Sequence, residues 1–74
     1  MFKLNGETWT IIYTSTFHPK LIKRDGTLAL GSCDYLTRNI YINENLSLYQ
    51  TKKVLCHEVT HAAMFSYNVN LSEE

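Results

Sequence analysis

His57, Glu58 and His61 fall within one short stretch, His57-Glu58-Val59-Thr60-His61. Zinc takes ligands whose lone pairs converge at about 2.0–2.1 Å. Residues four apart on a helix are stacked neighbours on one face, so a helix through this stretch lets both imidazoles address one ion without backbone strain. Glu58 follows His57 by about 100° at 3.6 residues per turn, which puts its carboxylate beside such an ion rather than on it. From there it can act as general base on a metal-activated water and then protonate a leaving amine, the chemistry of zinc-dependent peptide hydrolysis. The pattern arises by chance in roughly one chain of this length in several hundred at average residue usage. The metal reading therefore outweighs two helix histidines with ordinary surface or core roles. Cys56 adjoins His57 but points about 100° away from it and reads as a packing residue.

The pattern works only on a helix, and the surrounding residues predict one. Ser47 with Gln50 three residues later forms a capping box. From Leu48 onward the apolar spacing is helical, with Leu48, Thr51, Leu55, Glu58/Val59 and Ala62 on one face. Residues 54–65 contain neither glycine nor proline, and the helix is expected to end near Tyr67-Asn68. Upstream, residues 7–14 are aromatic and β-branched and read as a strand. Residues 18–25 are polar and irregular, with room for a short helix, and Asp25-Gly26 marks a turn. Residues 28–36 and 39–43, joined by the polar turn Thr37-Arg38-Asn39, read as an antiparallel hairpin. Gly31 in the first arm signals a bulge or a close backbone approach. The expected fold is α+β, a small antiparallel sheet of about three strands packed on a long active-site helix. The first arm, 28–36, is expected at a sheet edge beside the metal, where an extended peptide could pair with it.

A catalytic zinc site usually has three protein ligands and one open position. The candidates for the third ligand are His18, Cys33, Glu73 and Glu74. His18 lies in a loop, where side chains are commonly solvated. Cys33 could ligate as a thiolate or simply sit as a small residue on a sheet face. For the two glutamates the reach is sufficient. From His61 to Tyr67 the helix runs about 9 Å, and the seven residues from Tyr67 to Glu74 span up to roughly 23 Å when extended. Leu71-Ser72-Glu73-Glu74 reads as the start of another helix, with Ser72 as its cap and the acids in its first turn. A cap without a helix body leads to the expectation of a further C-terminal helix that this chain lacks.

The chain has 74 residues, read as one domain spanning 1–74. Domains this small often lean on a metal, a disulfide or a partner. Seven lysines and arginines balance seven acids, so there is no electrostatic footprint for nucleic acid or an anionic membrane surface. No window is apolar enough to span a bilayer, and the N-terminus does not read as a signal peptide. Two cysteines, Cys33 and Cys56, do not make a disulfide framework. They read as reduced thiols in a cytoplasmic protein.

Taken together, Gly31-Ser32-Cys33-Asp34-Tyr35, Asn39-Ile40-Tyr41-Ile42-Asn43 and Leu55-Cys56-His57-Glu58-Val59-Thr60-His61-Ala62 resemble the gluzincin metallopeptidases. The resemblance is to small phage and prophage members of the ImmA/IrrE-type group, and it runs from about Gly31 to Glu74. It implies a minimal zincin-like fold, a zinc cofactor, a protein or peptide substrate and action in a bacterial host cytoplasm. In that family a helix after the active-site helix supplies a glutamate as third ligand, so the resemblance assigns Glu74 to that role, with Glu73 as second choice. The reading from a different class is a zinc-stabilised, non-catalytic phage or prophage protein that binds a host or phage partner. A nucleic-acid binder ranks third because the charge is balanced. Oligomeric state is left open. Substituting the two acids separates them. Glu74→Ala is expected to weaken zinc binding by more than the roughly 10–100-fold that loss of a supporting partner costs, while Glu73→Ala leaves it unchanged, measured by competition with a metallochromic chelator. Unaltered affinity in both variants would return the third position to His18 or Cys33.

Overall fold

The computed structural model describes residues 1–67. Four strands precede one long helix: β1 (Phe2–Leu4), β2 (Glu7–Thr14), β3 (Gly31–Asp34), β4 (Asn39–Asn43) and α1 (Leu48–Ser66). The sheet order is β1-β2-β4-β3. The chain is thus α+β, a four-stranded mixed sheet against one helix. The antiparallel β3–β4 hairpin stands as its sequence predicts, with the first arm shortened to Gly31–Asp34 and the turn starting at Tyr35.

Two features correct the expected three-stranded antiparallel sheet. The first is β1, which pairs antiparallel with β2 through Asn5-Gly6. Both turn residues are left-handed, at φ 51° and 80°, the two-residue hairpin geometry that matches strand twist and favours Asn-Gly. Three strand residues are too few to display a period, so the turn dipeptide is the only sequence signal. The second is that β2 pairs parallel with β4, Ile11 beside Ile40 and Tyr13 beside Ile42. Alternation reports which face a residue takes, not the direction of the strand beside it.

A parallel pairing needs a crossover, here residues 15–38 including β3. It contains a 3-10 turn at Pro19–Leu21 and the Asp25-Gly26 turn, where Gly26 has φ 89° and its N–H donates to Lys23. Ile40 and Ile42 face α1 within the core cluster, so Tyr41 between them faces the other way. His18 stacks on Tyr41, Lys20 pairs with Asp34 at 2.9 Å, and Leu21 is fully buried. The crossover therefore covers the sheet face away from the helix.

On the helix face, Trp9, Ile40, Ile42 and Ala62 form the buried core, with Val54, Leu55, Val59 and Cys33 packed around it. Each such large apolar side chain contributes about 1.5–3 kcal/mol when buried. Helix α1 begins where its cap predicts: the Ser47 hydroxyl accepts from the Gln50 N–H at 3.2 Å. Leu48, expected on the buried face, is instead 73% exposed, because the helix contributes to the core only from Val54 onward. The far end is clamped by the β1–β2 hairpin. Trp9 Nε1 donates to Ser66 Oγ at 3.0 Å, Asn5 Nδ2 to the Ser66 carbonyl at 2.9 Å, and the Asn5 N–H to the Tyr67 hydroxyl at 2.8 Å.

Strand β3 meets the helix at Gly31, where a Cβ would lie 2.6 Å from Val54 Cγ1 and 3.1 Å from Glu58 Cγ. The close approach inferred for Gly31 is thus made by α1. Glycine ordinarily weakens a strand interior, yet here Gly31→Ala is expected to destabilise by about 1–3 kcal/mol through overpacking. Urea unfolding measures it, and a stabilised variant would show that helix and strand are free to separate.

Candidate metal centre

His57, Glu58 and His61 all lie mid-helix, eight residues or more from the start of α1 at Leu48. His57 is exposed, His61 half-buried and Glu58 buried at 9% exposure. The two Nε2 atoms stand 3.0 Å apart, with ring centroids 4.4 Å apart and planes at 80°. Two nitrogens that share a tetrahedral zinc at about 2.0–2.1 Å lie roughly 3.3 Å from each other. The pair is therefore already spaced for one ion, and a shift of a few tenths of an ångström is within rotamer freedom. The two imidazoles fit two ligand positions of one metal ion.

Glu58 follows His57 round the helix and turns towards the sheet. Its carboxylate meets β3, where the Cys33 thiol stands 3.2 Å from Oε1. A cleft of about 590 Å³ opens beside it, with His57, Glu58, Val54, Gly31, Leu30 and Lys53 on its walls. These residues come from two parts of the chain more than twenty residues apart, so no local pattern could have announced the cleft. Strand β3 forms one edge of the sheet and pairs with β4 alone among the described strands, as anticipated for the first hairpin arm.

The other candidates for the third ligand divide. His18 is occupied elsewhere: its Nδ1 accepts from the Lys20 N–H and its ring stacks on Tyr41, on the far face of the sheet. Cys33 bonds to Glu58 rather than joining the histidines, and burial pushes its thiol up to about 12, with the hydrogen bond and charge of Glu58 adding to the effect. Cys56 is exposed and unpaired. Among the described residues no group of three metal-binding side chains comes together. Glu73 and Glu74 lie outside the described residues.

Comparison with known proteins places the chain in a family. The family model for the IrrE N-terminal-like domain, a peptidase family, matches residues 11–74. The chain belongs to the IrrE-like metallopeptidase family. The match starts within β2 and takes in β3, β4 and all of α1. No curated protein and no solved structure matches the chain. IrrE-like membership implies a metal and a protein substrate. No helix among the described residues is long and apolar enough to cross a membrane.

Metal content tests the histidine pair directly. Protein purified without chelators is expected to hold one zinc per chain by elemental analysis, and His57→Ala to lose it. Because metal binding contributes to folding free energy, a chelator should also lower the Tm. Stoichiometric zinc in a His57→Ala, His61→Ala double variant would place the metal elsewhere.

Proposed function

We propose that this IrrE-like chain is a zinc-dependent peptidase in which His57, His61 and Glu74 hold the metal and Glu58 is the general base and acid. The observation that carries it is the convergence of the two Nε2 atoms at 3.0 Å, with His57 and Glu58 both on the wall of an open cleft. Zinc, when bound, supplies Lewis acidity, polarising the scissile carbonyl and making water acidic near neutral pH.

The chain's own residues supply the rest. An extended peptide lies along the free edge of β3, where main-chain hydrogen bonds orient it. Leu30 and Val54 give the cleft an apolar wall for one of its side chains. Glu58 accepts the proton of the attacking water and delivers it to the nitrogen of the leaving amine. Its burial on the strand side keeps the carboxylate pointed at the cleft rather than at bulk solvent. Glu74 as third ligand rests on its reach and on the family resemblance. Action in a bacterial cytoplasm follows the resemblance to phage and prophage members and the two free thiols.

Glu58→Gln preserves shape and removes the proton acceptor. Zinc content is expected to stay at one per chain, while hydrolysis of fluorescein-labelled casein falls by about 10²–10⁴-fold, the usual worth of a positioned acid–base group. Undiminished hydrolysis in this variant would remove Glu58 from the chemistry.

A further inference from the structure

Cys33 makes a contact that peptide hydrolysis, as described above, does not use. Its Sγ stands 3.2 Å from Glu58 Oε1 and also 3.2 Å from the Glu58 carbonyl oxygen. A thiol has a single proton to donate, and here both acceptors belong to one residue. Two positions earlier on the same face of β3 is Gly31. A Cβ there would lie 3.1 Å from Glu58 Cγ and 3.4 Å from Oε2. One strand therefore shapes the Glu58 side chain at two places: the Cys33 thiol bonds Oε1, and Gly31 presents no side chain to crowd Cγ or Oε2.

This matters because of what glutamate is. Its carboxylate rotates broadly about the last torsion, and fixing so flexible a side chain costs conformational entropy. An acid–base group must nonetheless be within hydrogen-bond reach of the proton it moves. We infer that Cys33 is a positioning residue for Glu58: its thiol holds Oε1 and so leaves Oε2 as the oxygen that exchanges the proton.

The electrostatics agree. Burial, and then the carboxylate beside it, hold the Cys33 thiol well above its ordinary range, so near neutral pH the sulfur keeps the proton it donates. Burial also raises the Tyr35 hydroxyl, with Cys33 and Glu58 beside it adding to the shift. Cys56, exposed on the outer face of α1, has no such partner.

The inference rests on Glu58 being the proton-transfer group, and the test separates the two. Cys33→Ala is expected to lower kcat on labelled casein by about 10- to 100-fold, the cost of a misplaced catalytic group, with KM and zinc content unchanged. Cys33→Ser, whose hydroxyl can donate in place of the thiol, should recover most of that loss. An unchanged kcat in Cys33→Ala, in a protein where Glu58→Gln is inactive, would overturn the positioning role alone; full activity in Glu58→Gln would overturn the base assignment. A second readout needs neither metal nor substrate. In zinc-free protein carrying Cys56→Ser, iodoacetamide should alkylate Cys33 on the order of 10²-fold more slowly than it alkylates Cys56 in the Cys33→Ser protein, because only thiolate reacts. Adding Glu58→Gln should speed the Cys33 reaction several-fold. A rate indifferent to residue 58 would show that thiol and carboxylate do not touch, and the inference would fall.

Discussion

Helix α1 sits directly on the bare backbone of Gly31, and the rest of the site depends on that seat. With any side chain at residue 31 the strand would be driven into Val54, whose Cγ1 would lie only 2.6 Å from the new Cβ. The helix can approach this closely only because the strand offers nothing to push against. Three consequences follow from one missing Cβ. Glu58 comes down onto the sheet and is buried. Cys33, next on the same face, reaches it. His57, one step round the helix, is left facing outwards over the cleft.

Burying a carboxylate is costly unless something bonds to it. Here the bond comes from a soft donor, a thiol at 3.2 Å, rather than from an arginine or lysine. A cationic partner would hold Glu58 in its charged form and oppose its taking up a proton. A thiol orients the group without setting a fixed positive charge beside it. The two salt bridges among the described residues, Lys20–Asp34 and Glu7–Arg38, are both made elsewhere. The fold thus places its ion pairs at the periphery and a neutral donor at the site.

The histidine pair imposes a different requirement, a helix that does not shift under it. A metal site tolerates little displacement of its ligands. One end of α1 is started by the Ser47 cap, and the other is tied by Trp9 and Asn5 to Ser66 and Tyr67. The short β1–β2 hairpin, which carries no candidate site residue, serves the site through that clamp. Arg38 reinforces the same region, bonding to Glu7 at 2.8 Å and standing over the rings of Trp9 and Phe65.

The sequence alone determined whatever is local. The spacing of His57, Glu58 and His61 specifies a convergent pair because helical geometry repeats every 3.6 residues. The Ser47 cap, the Asp25-Gly26 turn and the β3–β4 hairpin are legible for the same reason: each depends on residues close together in the chain. Gly31 announced a close approach, but not to what. Tertiary structure decided the partners. That β4 runs parallel to β2, that His18 is spent on the far face, and that Cys33 bonds Glu58 instead of joining the histidines are all outcomes of residues distant in sequence. Such pairings are set by how helix and sheet pack to bury Trp9, Ile40, Ile42 and Ala62. A period along the chain records which face a residue takes, but it cannot record what the opposite surface will bring to meet it.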